Sequence, residues 1–581
     1  MQTSIFIPEN APFNPDQRLW LNGYMAGLLA GKNLALEKPS QIETAASATI
    51  PLLILFGSQT GTAEKLARQI AKESQRSGYR PQVLEAAQYA KIDWRKESNL
   101  LVVTSTYGDG EMPDNAQPFW EWLQTESANA LAHMQFSVLA LGDTNYEQFC
   151  AAGIKIDSRL AQIGAKRLQP LVMCDVDYEA KAQAWTTDAL AAFAPGKIAS
   201  GVVPKPLHSS SEFSKSHPFP AQLLSNRRLN AASSEKETRH FEISLGGSQL
   251  AYAAGDALGI YPRNCPKLVD DILLALHFNG EETVKLSEGE MALRPALLQH
   301  LDINKPSAEM LRHFAVNHNR WRDLSSLEND AEFKTWLAGR QLIDLLSEPA
   351  NVKISPAEFV TLLKKLAPRL YSISSSPKAH AGQVHLTINV IRHEAHGRER
   401  KGVGSTFLAD RAGEAPVPIF VHASPGFRLP ADEQAPVIMV GPGTGIAPFR
   451  AFLHERRAVN AQGRNWLFFG EQRAATDFYY RDELEAMFSD GHLTKLSTAF
   501  SRDQANKIYV QHRMREQAAE LWAWLQDGAY FYVCGDAARM AKDVDAALHQ
   551  VIQTAGGKSA DEAKSYVAKL KTEKRYLRDV Y

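Results

Sequence analysis

The stretch PLLILFGSQTGTAEKLA (51–67) decides how the chain is read. A short unbroken apolar run, Pro51–Phe56, passes through small and hydroxyl-bearing residues into a segment with Leu66, Ala67, Ile70 and Ala71 at three- and four-residue spacing. That is a buried strand feeding an amphipathic helix. At the handover stand Gly57, Ser58, Gln59, Thr60, Gly61, Thr62 and Ala63. Small residues let a backbone close around an anion, a helix N-terminus adds partial positive charge, and hydroxyls complete the cradle. No Gly-Lys-Ser/Thr follows, which excludes the loop that places a lysine and Mg²⁺ on a triphosphate. A monophosphate fits better. Taken alone, an ordinary Ser/Thr-rich helix cap explains the stretch equally well.

Outward from it the same alternation continues. LLVVTS (100–105), FSVLALG (136–142) and a weaker run at Leu168–Met173 are short strands separated by helix-length segments. This predicts parallel βαβ units and one doubly wound α/β domain over 49–195. Two further loops fall at strand C-termini, the edge where open α/β sheets bind ligands. One carries Ser105, Thr106, Tyr107 and Gly108. The other runs through Leu141, Gly142, Asp143, Thr144, Asn145, Tyr146, Glu147, Gln148, Phe149 and Cys150. Tyr107 and Tyr146, facing one crevice, would sandwich a flat heterocycle, although each tyrosine by itself reads as packing.

Residues 1–48 form a lead segment, a surface helix or an oligomer contact. Residues 196–220, rich in Pro and Ser, are expected to be a flexible linker. Segments 221–262 and 368–425 look strand-rich, with a helical insertion at about 265–355. A second α/β stretch occupies 431–581. On the strand RLYSISSS (369–376), period two puts Arg369 and Tyr371 on one face and Leu370 and Ser372 on the other. KGVGSTFLADR (401–411) adds a Gly-rich turn with Gly402, Val403, Gly404 and Ser405, a second backbone anion site. PVIMVGPGTGIAPFR (436–450) places Gly443 and Thr444 between a strand and a helix, the context a dinucleotide loop requires. No acidic residue stands at the ribose position. Ser501, Arg502, Lys507, Ile508, Tyr509, Val510 and Gln511 supply basic and hydroxyl groups there instead, which suits a 2′-phosphate and favours NADPH over NADH.

Composition narrows the function classes. The 581 residues are 44% hydrophobic and 22% charged, with 64 Lys plus Arg against 65 Asp plus Glu, so no basic footprint for nucleic acid appears. Cys150, Cys174, Cys265 and Cys534 lie too far apart for a CxxC clamp, an iron–sulfur run or a disulfide framework, and no metal site is expected. No basic residue precedes Arg18, and the uncharged stretch Leu19–Gly31 is shorter than the about 20 residues of a spanning helix. A cytoplasmic protein that does not enter membranes is the expectation.

The three loops of the first module, in order, resemble flavodoxin, which binds FMN. RLYSISSS and the Gly-rich turn resemble the FAD domain of the ferredoxin–NADP reductase type. Together the chain resembles the diflavin reductases, closest to the sulfite reductase flavoprotein branch. That resemblance implies FMN, FAD and NADPH as cofactors, an antiparallel β-barrel FAD domain over 221–430 with the helical insertion, and a nucleotide-binding α/β domain over 431–581. It implies that Arg369 and the turn hold the FAD pyrophosphate and Tyr371 stacks on the flavin. Ser307, Thr387, Ile388, Asn389 and His393 join the FAD set, and Asp543 the NADP set. Ser372, Cys534 and Asp579 would form the polar network around hydride transfer, and the terminal Tyr581 would lie on the FAD ring. The implied partner is a haemoprotein subunit of sulfite reductase, because the cysteines here cannot ligate a cluster. Asp109, Glu111, Asp114, Asp143, Glu147, Asp175, Asp177 and Glu179 are expected to steer it, or else form a solvated rim. Another haem acceptor and a non-catalytic flavin carrier are the alternatives.

Overall fold

Apolar runs become the central strands of the first module, because helices cover both faces of the sheet. The strands are β1 (Ile50–Gly57), β2 (Tyr79–Glu85), β3 (Asn99–Ser105), β4 (Gln135–Leu141), β5 (Lys166–Arg167) and β6 (Val172–Cys174). They pair in parallel in the order β2-β1-β3-β4-β5, with β6 also on β4. Helices α1 (Thr62–Arg76), α2 (Gln117–Thr125), α3 (Ala151–Gln162) and α4 (Glu179–Phe193) cover the sheet. Leu66, Ala67 and Ile70 of α1 pack with Ile54 and Val103 on one side, whereas Phe119 and Ile156 pack with Leu53 and Val102 on the other. The computed structural model describes residues 50–581, except 60, 108–109, 144–147, 176–177, 194–212, 307–309, 312, 314–336, 338, 348–353 and 414. The lead segment and most of the linker fall outside the described residues, as do Thr60, Gly108, Thr144, Asn145, Tyr146, Glu147 and Ser307.

The second module is antiparallel. Strands β7 (Phe219–Ala221), β8 (Leu223–Arg228), β9 (Thr238–Ser244) and β10 (Ala257–Ile260) precede an insertion. The insertion holds α5 (Pro266–Leu276), the hairpin β11 (Thr283–Leu286) and β12 (Gly289–Ala292), α6 (Leu293–Gln299), α7 (Leu342–Leu346) and α8 (Pro356–Thr361). Then follow β13 (Arg369–Ser372), β14 (Gln383–Asn389), the hairpin β15 (Arg392–Ala395) and β16 (Arg398–Lys401), α9 (Val403–Asp410) and β17 (Val417–His422). Two sheets, β13-β10-β17-β7 and β14-β9-β8, are joined by a bridge between Ile373 and Leu386 and enclose a core of Phe241, Ile243, Leu258 and Ile419.

Two details depart from expectation. β7 starts inside the stretch read as linker, because Phe219 packs on the barrel core and edge-on to Phe213 at 4.9 Å. Two aromatics give apolar surface that the Pro/Ser composition hides. The insertion is also not purely helical: Gly289, at φ +125°, opens the β12 arm of a hairpin.

The third module returns to parallel pairing. β18 (Val437–Val440), α10 (Ala447–Ala458), β19 (Asn465–Glu471), α11 (Ala474–Asp477), α12 (Arg481–Ser489) and β20 (Lys495–Phe500) come first. Next are α13 (Val510–Glu516), α14 (Ala518–Gln526), β21 (Tyr530–Gly535), α15 (Met540–Thr554), α16 (Ala560–Thr572) and β22 (Tyr576–Val580). The strand order is β20-β19-β18-β21-β22. The last strand therefore runs beside β21, with Cys534 in register with Asp579.

Candidate functional site

In the first loop, the backbone N–H groups of Gly61 and Ala63 both donate to the Ser58 hydroxyl oxygen, at 2.9 and 3.2 Å. Amides at the start of α1 thus converge on one oxygen, which is the geometry that suits a phosphate. Gly61 sits at φ +91°, and a Cβ there would meet Pro425 at 2.7 Å. The loop therefore lies against the barrel module and needs glycine twice over. Gln59 and Asp114 exchange two hydrogen bonds of 3.0 Å, which ties the first loop to the second. Thr106 Oγ1 accepts from the Ala152 N–H of α3 at 3.2 Å, and Gly142 N–H donates to the Cys174 carbonyl at 2.9 Å. Tyr107 is buried, and its hydroxyl has no hydrogen-bond partner among the described residues. A buried orphan hydroxyl beside a cradle of amides fits a flavin site. Leu141 and Cys150 are buried packing residues of that rim.

The catalytic candidates meet where the barrel and the third module touch. Ser372 Oγ donates to Asp579 Oδ2 at 2.7 Å, and the Cys534 thiol points at the same oxygen from 3.8 Å. Burial raises the Asp579 carboxyl, and the Ser372 and Cys534 donors only moderate the rise. Burial and the neighbouring Asp579 hold the Cys534 thiol well above its ordinary value, so it is a neutral donor. Tyr581 closes the group. Its hydroxyl lies 2.9 Å from Thr444 Oγ1, and its backbone is tethered to Gly535 and Ala537.

Arg369 and Tyr371 share one face of β13, as period two requires, because both would strike a Cβ at Gly404. Burial pushes the Tyr371 hydroxyl up to about 12. Leu370 points the other way and is exposed. Ser405 is buried, and its hydroxyl accepts from the Ile391 N–H at 3.1 Å, so the turn Gly402–Gly404 presents backbone rather than that side chain. His393 is exposed on the β15–β16 hairpin. Ile388 belongs to the barrel core, and Thr387 directs its hydroxyl to Tyr480 at 2.6 Å, while Asn389 ends β14.

At the third module's sheet edge, a Cβ at Gly445 would collide with the Cys534 carbonyl oxygen. The Gly-rich turn therefore lies directly on the end of β21. Ser501 N–H bonds the Glu471 carbonyl at 2.9 Å, and Gln511 donates to Asp543 at 3.1 Å. Arg502 pairs with Glu235 at 2.6 Å. Lys507 and Tyr509 are exposed, whereas Val510 and Ile508 pack into the module's core.

Two groups of residues escaped the sequence reading. Arg578, next to Asp579 but on the opposite face of β22, lies 5.0 Å from the Tyr107 ring centroid and donates through Nε to Asp114 at 3.1 Å. Lys571 reaches the same carboxylate at 3.1 Å, and Lys542 pairs with Glu111 at 3.0 Å. These cations occupy two groups of the acidic rim that was expected to face a partner. Burial opposes ionisation of Asp114, but Lys571 and Arg578 hold its carboxyl below the ordinary value. The second is Arg450, buried on α10, which binds Glu483 through two bonds of 2.8 and 2.9 Å and the Ser374 carbonyl at 2.8 Å. The alternation of β22 offered a signal for Arg578. Nothing local signalled Arg450.

Comparisons with known proteins agree with this arrangement. Family models match as "Flavodoxin" over residues 54–185, "FAD binding domain" over 211–407 and "Oxidoreductase NAD-binding domain" over 439–546. The chain is 41% identical to the sulfite reductase (NADPH) flavoprotein alpha-component of Bacillus subtilis, over 98% of this chain and 99% of that one. The protein of that name from Vibrio cholerae is 41% identical (98% and 94% covered) and that from Mannheimia succiniciproducens 40% (98% and 97%). Among the described residues no helix is long and apolar enough to cross a membrane. With its three modules in order and near-complete coverage at this identity, the chain belongs to the family of sulfite reductase (NADPH) flavoprotein alpha-components.

Proposed function

We propose that this protein oxidises NADPH and delivers the electrons one at a time to a haemoprotein that reduces sulfite to sulfide in the cytoplasm, the assimilatory route to cysteine. The observation that carries the reading is the meeting of Ser372, Cys534 and Asp579 at the junction of the second and third modules, with the Tyr107 loop docked on the same strand, β22. NADPH yields its electrons as a hydride pair, and bound FAD and FMN supply the means to accept the pair and release it singly.

The chain's own residues orient and tune. The turns at Gly402–Gly404 and Gly443–Gly445 offer backbone donors to phosphates, and the Gly61 and Ala63 amides, which here serve the Ser58 hydroxyl, mark a third such turn. Ser372 presents a hydroxyl at the barrel end of the junction, held in place by Asp579. Asp579 sets a fixed negative charge where a nicotinamide gains positive charge, an electrostatic contribution of the preorganised kind. Tyr581, tethered to Thr444, covers the junction and must leave for a nicotinamide to enter. Arg502, Lys507 and Ser501 stand where a 2′-phosphate would be read.

The test is reconstitution. Purified protein with NADPH should reduce an artificial one-electron acceptor, and with sulfite reductase haemoprotein it should form sulfide from sulfite. Acceptor reduction without sulfide would assign the chain to a different haem partner. No acceptor reduction would remove the enzymatic reading.

A further inference from the structure

A second cluster of side chains, sharing no residue with the Ser372–Cys534–Asp579 group, lies on the outer face of the β9–β14 pair. His240 and Glu242 are two apart on β9 and so share a face, and His385 on β14 is the direct antiparallel partner of Glu242. Phe241 and Ile243, between and beyond them, point into the barrel core. The outer face is closed by the third module through Tyr480 and Arg450. His240 and His385 are each 2% exposed, while the Glu242 side chain is one-third exposed and leaves a way in from solvent.

We propose that His240, Glu242 and His385 bind one divalent transition-metal ion of the zinc type at the seam between the barrel and the nucleotide-binding module. Two imidazoles and a carboxylate are a borderline-soft donor set of the kind zinc takes. Their donor atoms lie within 4.8 Å of one another. His240 Nε2 and Glu242 Oε1 are 3.3 Å apart, which is about the separation of two ligands placed ~2.0–2.1 Å from one ion at a tetrahedral angle. The third donor, on His385, lies within 4.8 Å of the other two. Gln383 Oε1, 3.1 Å from His385 Nε2, or a water completes the fourth.

The surroundings prepare these donors. His240 Nδ1 lies 2.9 Å from the Tyr480 hydroxyl, so a proton on Nδ1 leaves the Nε2 lone pair directed at Glu242. Tyr480 is itself fixed by Thr387 at 2.6 Å. The nearest cation, Arg450, is 3.5 Å from His385 Nδ1 but is matched by its two bonds to Glu483. Because the ligands come from the barrel and Tyr480 from the third module, an ion there would tie the two modules together. Sequence spacing could not show this site, since the third ligand is brought in by strand register.

The decisive experiment is equilibrium dialysis of the flavin-loaded, full-length protein against Zn²⁺ at pH 7.5, followed by elemental analysis and thermal melting. One zinc per chain and a raised melting temperature are expected. Glu242→Gln, at a part-exposed position, and His385→Gln should each lose the ion and the thermal shift while retaining both flavins. Tyr480→Phe should weaken binding by about 10–100-fold. His380→Ala and His454→Ala, which remove a neighbouring imidazole pair 2.9 Å apart, should keep the ion. Absence of bound zinc in the parent protein, or zinc retained by Glu242→Gln and His385→Gln, or loss confined to the His380 and His454 variants, would overturn the proposal.

Discussion

Asp579 concentrates the chemistry of one residue. Its carboxylate collects the Ser372 hydroxyl and the Cys534 thiol on a single oxygen, and among the described residues no cation pairs with it. Replacing it with alanine removes fixed negative charge from the junction without touching the phosphate turns. Asp579→Ala should therefore slow reduction of the bound flavin by NADPH by about 10²-fold or more in stopped-flow absorbance, with FMN and FAD content unchanged. An unchanged rate would take Asp579 out of the mechanism. Ser372→Ala should also slow that step, by less than the Asp579 variant, because the carboxylate remains.

At the scale of single elements, the turn before α10 and helix α15 make separate predictions. A methyl group at Gly445 would collide with the Cys534 carbonyl, so Gly445→Ala must displace the turn from β21. It should cost about 1–3 kcal/mol by denaturant unfolding and raise the KM for NADPH. On α15, His549 and Asp545 form an i, i+4 pair at 3.3 Å. Burial works against ionisation of Asp545, but His549 and Lys571 hold it down to about 2, while the bond to Asp545 raises His549. The Asp545 share is present above its unfolded value near pH 4 and fades as pH falls toward 2. The His549 share is complete below pH 6.5 and fades as pH rises through the folded value. His549→Ala should therefore destabilise most between about pH 4 and 6.5, by about 0.2–1 kcal/mol, and less at pH 8. Elements of this kind also show what a sequence can tell. The parallel strands at 51–56, 100–105 and 136–141 were legible because buried runs and the following helical spacing both point to βαβ units. The β13 face was legible from period two. The β11–β12 hairpin and β7 were not, since short strands stabilised by tertiary contact leave little periodic trace. The pairing of Cys534 with Asp579 came from resemblance; the alternation of β22 marks the face of Arg578, but its partners and those of Arg450 depend on how the modules meet, which no local pattern encodes.

Over the whole molecule, the flavodoxin-type module is held on the third module by charge. Asp114 receives both Arg578 and Lys571, and Glu111 receives Lys542. Removing one partner of a largely buried pair leaves the others uncompensated, which is far costlier than loss of an exposed pair. Asp114→Asn should loosen the docked arrangement, seen as a larger radius of gyration in small-angle scattering at low salt. Parent protein should approach the same dimension only as salt rises, because the flanking Lys542–Glu111 pair is exposed and screened. Equal scattering curves for parent and variant at all ionic strengths would show that this contact does not hold the modules. Asp114 and Glu111 cannot serve the third module and a partner at once, so partner reduction should respond to ionic strength.

In the function proposed above, electrons enter this protein as a pair at one module and leave singly from another. Selective removal of FMN, with FAD retained, tests it most directly. NADPH should still bleach the remaining flavin while electron delivery to the sulfite reductase haemoprotein stops, and added FMN should restore delivery. Haemoprotein reduction at the full rate by the FMN-free protein would contradict it.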